Sequence, residues 1–583
     1  MKKFLKYAKP YRMAFILGPI CMIVESVGEI VLPLLLQLIY GRVENPTASS
    51  SADVGYILLI AGAMILLSLC MMAGGVGGAF FGSRASVGFA SDLRTDIYKK
   101  VQSFSFANID RFHPGSLITR LTNDVTQLQS FVNMLLRMCL RAPVMLVGAL
   151  IMAIVLRPDL SVVLLIAVPL LAGLQYVIIR VGFPRFRNMQ ARIDGLNETV
   201  QESLTNVRVV KSFVREEYEK EKFAAANDTL MQYNLKAMNV MLFTQPMMML
   251  IMNGTMLAVL FIGGRQVAAS AMEAATLATF LTYITQILFS LMMMTMLFMS
   301  SSRALASAGR IREVMEEEVS LSDETAAYPE KKIAHGEIEF RHVSFRYYKN
   351  SEDPVLSDIN LHIGAGETVG IIGSTGCGKT TLVSLIPRLY DVDSGEVLID
   401  GIDVRDYSLH TLRDGIGMVL QKNVLFSGRI SDNLRWGDEN ATEEEMRKAA
   451  RAAQADLFVS SFAQGYETAL TQGGQNVSGG QKQRLCLARA LLRHPKILIL
   501  DDSTSAVDTA TEARIRQALA AELPGTTKII IAQRISSVRN ADRIIVMDGG
   551  RVSGIGTHEE LLRENAEYRE INESQQGGKE AAV

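Results

Sequence analysis

Glycine, lysine and threonine fall together at Gly373-Ser374-Thr375-Gly376-Cys377-Gly378-Lys379-Thr380, a G-x-x-x-x-G-K-T pattern followed by Thr381. This spacing suits phosphate binding. Glycines leave the backbone free to curl, so that successive N–H groups point at one anion. Lys379 is placed to reach β- and γ-phosphates, and the Thr380 hydroxyl to coordinate Mg²⁺. A second cluster, Asp501-Asp502, closes the apolar run Ile497-Leu498-Ile499-Leu500. A carboxylate at the end of a buried strand can hold the Mg²⁺ shell, a role that falls to Asp501. ATP and Mg²⁺ are the expected cofactors. Cys377 lies inside the loop beside Lys379 and a helix N-terminus, which predicts a reactive thiolate that bound nucleotide protects from alkylation.

These groups need a strand, a tight loop and a helix in that order, and the sequence supplies them. Thr368–Ile372 reads as a short buried strand, and the residues after Thr380 as a helix whose N-terminus adds partial positive charge at the phosphates. Upstream, Ile338-Glu339-Phe340 and Val343-Ser344-Phe345 alternate as strands do. We expect an α/β nucleotide-binding domain of the P-loop NTPase class over 336–574, and a disordered tail over 575–583. An acidic and then irregular linker, with Glu316-Glu317-Glu318, Asp323 and Pro329, is expected over 317–335.

The first half is of another kind. A chain of 583 residues exceeds one ordinary domain, and most of its hydrophobicity lies before Met299. Apolar stretches of spanning length fall near 14–40, 54–80, 135–156, 161–182, 238–262 and 275–300. They predict an all-α transmembrane domain of six helices over 1–316, in contact with membrane lipid. Lys2, Lys3, Lys6 and Arg12 mark the N-terminal side as cytoplasmic. The outer connections, Gly41–Asp53, Arg157–Asp159 and Gly263–Glu273, are short. The inner ones, Gly82–Met134 and Gly182–Lys236, are long, charged and helical in pattern, so helices are expected to continue well past the bilayer. No small-residue cleavage site follows the N-terminal lysines, which speaks against a cleaved signal peptide. The five cysteines are scattered, as reduced thiols are, and a net charge of −1 without a basic block argues against a nucleic-acid partner.

Spans five and six are rich in methionine: Met247-Met248-Met249, Met252 and Met256, then Met292-Met293-Met294, Met296 and Met299. Such flexible, polarizable side chains suit a surface that repacks around varied apolar ligands. They serve lipid contact or helix packing as well. Arg137 and Arg141, at the edge of span three, either face a polar cavity or snorkel.

Between the phosphate loop and Asp501 lies Asn476-Val477-Ser478-Gly479-Gly480-Gln481-Lys482-Gln483-Arg484. With this serine–glycine signature the sequence resembles the ATP-binding cassette (ABC) transporters, over nearly the whole chain to about Ser574. A membrane domain followed by a cassette in one polypeptide resembles the exporters among them. The resemblance implies an ABC-type transport ATPase in the bacterial plasma membrane, moving amphipathic or hydrophobic compounds such as drugs, lipids or peptides outward. It implies that Tyr347 stacks on adenine and that Gln421 links the Mg²⁺ site to the membrane domain. It also implies that Ser505-Ala506-Val507-Asp508 is the D-loop, and that Phe112–Val125 and Thr205–Tyr218 carry the helices that dock onto nucleotide-binding domains.

Three positions depart from the family pattern. Asp502 stands where a glutamate base is usual, and its carboxylate is retracted by one methylene. Gln533 replaces the switch histidine after Ile530-Ile531-Ala532, and Gln472 an acidic residue ahead of the signature. Glutamine can donate to a phosphate but cannot carry the charge of an imidazolium. The resemblance implies two cassettes sandwiching two ATP molecules, each held by one chain's loop and the other's signature. Asp502 and Gln533 then predict a weakly hydrolytic site in this chain. Its signature, Ser478, Gly479, Gly480 and Gln481, is intact apart from Val477, and acts in trans on a second, homologous half-transporter. A heterodimer is the expectation. The alternatives are a homodimeric exporter, or an ATP-gated channel or sensor, for which the chain carries no inserted regulatory segment.

Overall fold

A backbone crossing hydrocarbon must satisfy its own N–H and C=O groups, so long apolar runs become long helices. The computed structural model describes residues 2–44, 50–323, 326–349, 351, 353–502 and 507–580. It divides into two units, Met1–Gln102 with Pro114–Glu317, and Ser103–His113 with Glu318–Val583.

After a 3₁₀ segment at Lys2–Tyr11, the helices are α1 (Arg12–Glu44), α2 (Ser50–Gln102), α3 (Phe106–Phe112), α4 (Pro114–Thr119), α5 (Val125–Met138), α6 (Arg141–Leu156), α7 (Pro158–Thr205), α8 (Val207–Ser212), α9 (Glu216–Ala268) and α10 (Ala274–Glu316). Among the described residues, six helical stretches are long and apolar enough to cross a membrane. Each span read from the sequence lies within them or, for the sixth, within α10. At 53 residues each, α2 and α9 are about 80 Å long, against about 30 Å of hydrocarbon. They continue well beyond a bilayer, as expected.

Span three is interrupted. Pro143 has no N–H to offer the Cys139 carbonyl, and its ring crowds that group, so a turn at Cys139-Leu140 separates α5 from α6. Elsewhere α1 packs along α2, α7 along α9, and α10 against α5 and α6. The α1–α2 approach depends on Gly74, where a Cβ would stand 2.8 Å from the Cys21 carbonyl oxygen. Tyr283, Ile284, Ile287 and Phe280 of α10 form the buried centre with Ala149, Leu164 and Val259. At one end of this unit Arg157 donates to Asp159 and Gln266. At the other, buried Asp124 accepts from Ser307 and Arg310, and Arg120 pairs with Glu313.

In the second unit the strands are β1 (Ile338–Phe345), β2 (Leu356–Ile363), β3 (Thr368–Gly373), β4 (Ser394–Ile399), β5 (Ile402–Asp403), β6 (Ile416–Val419), β7 (Gly428–Arg429), β8 (Ala469–Leu470), β9 (Ile497–Asp501), β10 (Thr527–Ile531), β11 (Arg543–Asp548) and β12 (Arg551–Gly556). One sheet has the order β2-β1-β4-β5 and is antiparallel; the other has the order β12-β11-β3-β10-β9-β6, with β11, β3, β10, β9 and β6 parallel. Parallel strands are covered on both faces and read as continuous apolar runs, which is why Ile497–Leu500 is fully buried. The segment read as a linker lies along this unit: Tyr328 donates to the Asp406 carbonyl, and Asp323 accepts from the Leu409 amide. Of the tail expected to be disordered, 575–583, residues 575–580 continue the helix Ala566–Glu580 and 581–583 lie outside the described residues. Gln575 bonds the Gln533 carbonyl and the Ile535 amide, which fixes the start of that stretch.

Candidate functional site

The phosphate loop joins β3 to the helix Lys379–Leu385. Parallel strands direct their carboxyl ends to one edge, and β3 lies between β10 and β11 in the middle of the sheet. Gly378 caps the helix at φ +95°, a conformation open to glycine at no steric cost. The Lys379 ammonium donates to the carbonyls of Gly373 (2.9 Å) and Ser374 (2.7 Å). It therefore lies over the loop, where bonds to carbonyls can be exchanged for bonds to phosphate.

Cys377 differs from the expectation. Its residue is 4% exposed and its side chain belongs to the core with Leu356, Ile371 and Met547. Its amide donates to the Ser374 carbonyl, and its thiol accepts from the Lys379 ammonium at 3.6 Å, so this buried thiol is less open to alkylation than the sequence suggests.

Asp501 ends β9 and is 2% exposed, its Oδ2 buried without a hydrogen-bond partner. Burial pushes its carboxyl above the usual range, opposed by the Thr380 hydroxyl bonded to it. A buried carboxylate oxygen with free valence beside a threonine hydroxyl is a donor set for a hard divalent cation. Among the described residues no three His, Cys, Asp or Glu gather as a metal cluster, so such a cation would need phosphate oxygens to complete its shell. Gln421 is exposed, just beyond β6, whose Val419 pairs with Leu500 of β9. Gln421 and Asp501 therefore leave neighbouring strand ends.

The two exceptional positions meet. In the β9–β10 register Asp501 pairs with Ile531, so Asp502 and Gln533 emerge side by side. Gln533 Nε2 donates to Asp502 Oδ2 at 3.0 Å, and Asp502 N donates to the Ile531 carbonyl. Asp502 adopts φ +47°, a region that aspartate tolerates better than most residues. Burial raises its carboxyl above the ordinary range, offset by the positive charges of Lys379 and Arg534 and by the Gln533 bond.

Tyr347 is half-exposed. Its hydroxyl shares a 3.0 Å hydrogen bond with that of Thr381, and its ring meets Phe345 and Tyr390 edge-on at 5.0 and 5.2 Å. Tyr390 continues outward: its hydroxyl donates to Asp110 at 2.8 Å, and its ring lies 6.1 Å from Phe106. A segment of the first half packed on the cassette is thus α3, Phe106–Phe112, which ends where the expected docking segment Phe112–Val125 begins. Its sequence signal is a capping box, Ser105-x-x-Asn108, which organises the helix start. The other segment, Thr205–Tyr218, contains α8, with Val209, Phe213 and Val214 exposed.

The signature lies at the start of the helix Gly479–Leu492. Ser478 and Gln481 form a capping box, with Ser478 N donating to Gln481 Oε1 at 2.9 Å. Ser478 and Gly479 are exposed while Val477 is buried, so an apolar anchor holds a polar helix N-terminus at the surface. Ser505 and Ala506 of the expected D-loop lie outside the described residues, and Ser374, Thr375 and Gly376 form the exposed crest of the phosphate loop. Gln472 is exposed in the turn before the signature.

Of the methionines, Met248 is buried and accepts from Gln175, whereas Met247, Met249, Met256 and Met294 are exposed. The side chains of Met296 and Met299 lie outside the described residues. Arg141 is paired with Glu25 and Glu29 of α1, carboxylates that the sequence reading did not single out.

A strand–loop–helix phosphate cradle, a buried strand-end carboxylate and a capped signature helix define an ATP-hydrolysing cassette, here following a six-span membrane region in one chain. The chain belongs to the ABC transporters, and within them it is an exporter half-transporter. Residues 15–292 match the family model for the ABC transporter transmembrane region, and 356–505 the model for the ABC transporter itself. It is 38% identical to the ABC transporter ATP-binding protein YfiB of Bacillus subtilis, over 99% of each chain. It is 33% identical to the ATP-dependent lipid A-core flippase of Syntrophus aciditrophicus, over 98% of this chain and 94% of that one. A fatty acid ABC transporter ATP-binding/permease protein of Mycobacterium bovis is 35% identical over 82% of this chain and 75% of its own. Among solved structures, a bacterial Atm1-family ABC exporter with ATP bound superposes with a TM-score of 0.78 at 25% identity, covering 96% of this chain and 98% of that one. The protein is a multi-pass plasma-membrane transport ATPase whose nucleotide-binding domain is cytoplasmic.

Proposed function

We propose that this chain exports amphipathic compounds as one half of a heterodimer, with a retained but weakly hydrolytic ATP site of its own. The observation that carries the reading is the Gln533–Asp502 bond. Where the family places a glutamate base and a histidine, a shortened carboxylate is held by a neutral amide. A reacting group misplaced by about 1 Å loses on the order of 10²-fold in rate. Lys379, Thr380 and Asp501 remain to bind Mg-ATP: Lys379 and the loop amides the phosphates, Thr380 and Asp501 the Mg²⁺ shell, and Tyr347 the base. Mg²⁺ supplies charge neutralisation at the phosphates when bound.

The signature helix, capped and exposed at Ser478, is suited to complete a partner's site. The partner brings the glutamate and histidine that this chain lacks. Exposed apolar groups on α8 and just after it, with Phe213 at 72% exposure, are suited to pack on that partner's cassette. The exposed methionines of spans five and six, and relatives named for lipid A-core and fatty acid, support an amphipathic cargo. Purified alone, the chain is expected to turn ATP over slowly, and co-expression with its partner half-transporter to restore turnover. Vigorous hydrolysis by this chain alone, abolished by Lys379→Ala, would establish a homodimer and refute the heterodimer.

A further inference from the structure

Three charged groups meet between the spans. Arg141, the first residue of α6, pairs with Glu25 Oε1 at 3.1 Å and with Glu29 Oε1 at 2.6 Å, both carboxylates coming from α1. Two carboxylates on one guanidinium leave a net charge of −1. Ionisable groups within spans are costly and mark functional sites by default.

Each of the two helices carries a proline at this joint. Pro143 interrupts span three next to Arg141. Pro33 lies in α1 four residues after Glu29 and has no N–H for the Glu29 carbonyl. Gln286 of α10 takes that carbonyl instead, its Nε2 donating at 2.9 Å. Tyr283 of α10 donates to the next carbonyl, that of Ile30. Interrupted helices within a membrane are tolerated where side chains re-satisfy the freed backbone, and transporters bind coupling ions at such places.

The joint is short of hydrogen-bond donors. Glu25 Oε2, Glu29 Oε2 and Gln286 Oε1 are buried acceptors without partners, against one buried donor, Arg141 Nε. Among the described residues, the charges acting on Glu29 are those of Arg141 and Glu25. From α2 Glu25 meets Gly75, where a Cβ would stand 3.3 Å from Glu25 Oε2, and Arg137 of α5 lies against Gly82. A proton on one carboxylate neutralises the joint and turns an acceptor into a donor. It needs no volume, which fits oxygens closed off by the α2 backbone.

We propose that Glu25, Glu29 and Arg141 form a proton-binding site in the membrane, which holds one proton on the carboxylate pair and exchanges it as α1, α6 and α10 repack during transport. The proton is taken from water and returned to it. Because Arg141 neutralises one carboxylate, any movement that changes its partners changes the number of protons held.

The test is infrared difference spectroscopy on the full chain, co-expressed with its partner and reconstituted in lipid. We expect a protonated-carboxyl C=O band that shifts in D₂O, shifts again when glutamate is ¹³C-labelled, and disappears in Glu25→Gln/Glu29→Gln. Labelling separates it from the buried aspartates of the cassette, and the single variants Glu25→Gln and Glu29→Gln assign it to this joint rather than to buried Glu512 or a partner glutamate, should the double variant misfold. Absence of a glutamate-labelled band at neutral pH would overturn the proposal. So would loss of the band on titrating sodium or tetraphenylphosphonium at constant pH, since the occupant would then be a cation. ATP-driven change in the band is the expected sign of exchange, and a band indifferent to Mg-ATP would refute the coupling to transport.

Discussion

At the residue scale, the proposed function turns on how two side chains are combined. Asp502 and Gln533 are 31 residues apart in sequence, and 3.0 Å apart at their bonded atoms. On the proposed reading, Asp502 is short by one methylene for a base that must reach an attacking water, and Gln533 cannot supply a positive charge to the γ-phosphate. Restoring both, as Asp502→Glu with Gln533→His, is expected to raise phosphate release at this site by about 10²-fold, measured on the purified chain. Each single change is expected to give less, because base and switch act on one transition state and their effects are not additive. No gain from the double variant, with Mg-ATP binding intact, would show that the slow step lies elsewhere.

At the scale of elements, α3 and Tyr390 form a joint on the cassette. The Tyr390 ring touches Tyr347 on one side and Phe106 on the other, and its hydroxyl holds Asp110. In chain order α3 follows the long α2 of the membrane unit. Tyr390→Phe keeps the ring packing and removes the hydroxyl. A bond of this exposed kind is worth about 1 kcal/mol net, so coupling should weaken several-fold and basal ATPase should not. Loss of substrate-stimulated ATPase with basal turnover retained is the expected result. Equal loss of both would make Tyr390 a structural residue of the nucleotide site.

At the scale of the whole molecule, the proposal makes the two composite sites of the dimer unequal. Ser478→Ala or Gly479→Asp, at the exposed start of the signature helix, should nearly abolish hydrolysis by the heterodimer, because that helix completes the partner's site. Asp502→Ala should cost much less. Turnover of the co-purified complex, measured for each variant, decides it. Severe and equal losses from both would show that this chain's own site carries the chemistry.

What the sequence alone determined is whatever rests on neighbours along the chain. The phosphate loop is one turn between a strand and a helix, and its glycines encode it directly. A spanning helix is about 20 apolar residues in a row, so all six were legible, as was the buried strand before Asp501. Contacts between elements were not. Gln533 reaches Asp502 because β9 and β10 pair Asp501 with Ile531, and a register one residue different would separate them. Arg141 meets Glu29 across 112 positions through the packing of α6 on α1. Cys377 lies within the legible loop, yet only the core on one side of it decided that its thiol faces inward. Local periodicity selects an element and its apolar face, but which side chains meet is set by how those faces pack, and that is a property of the folded chain.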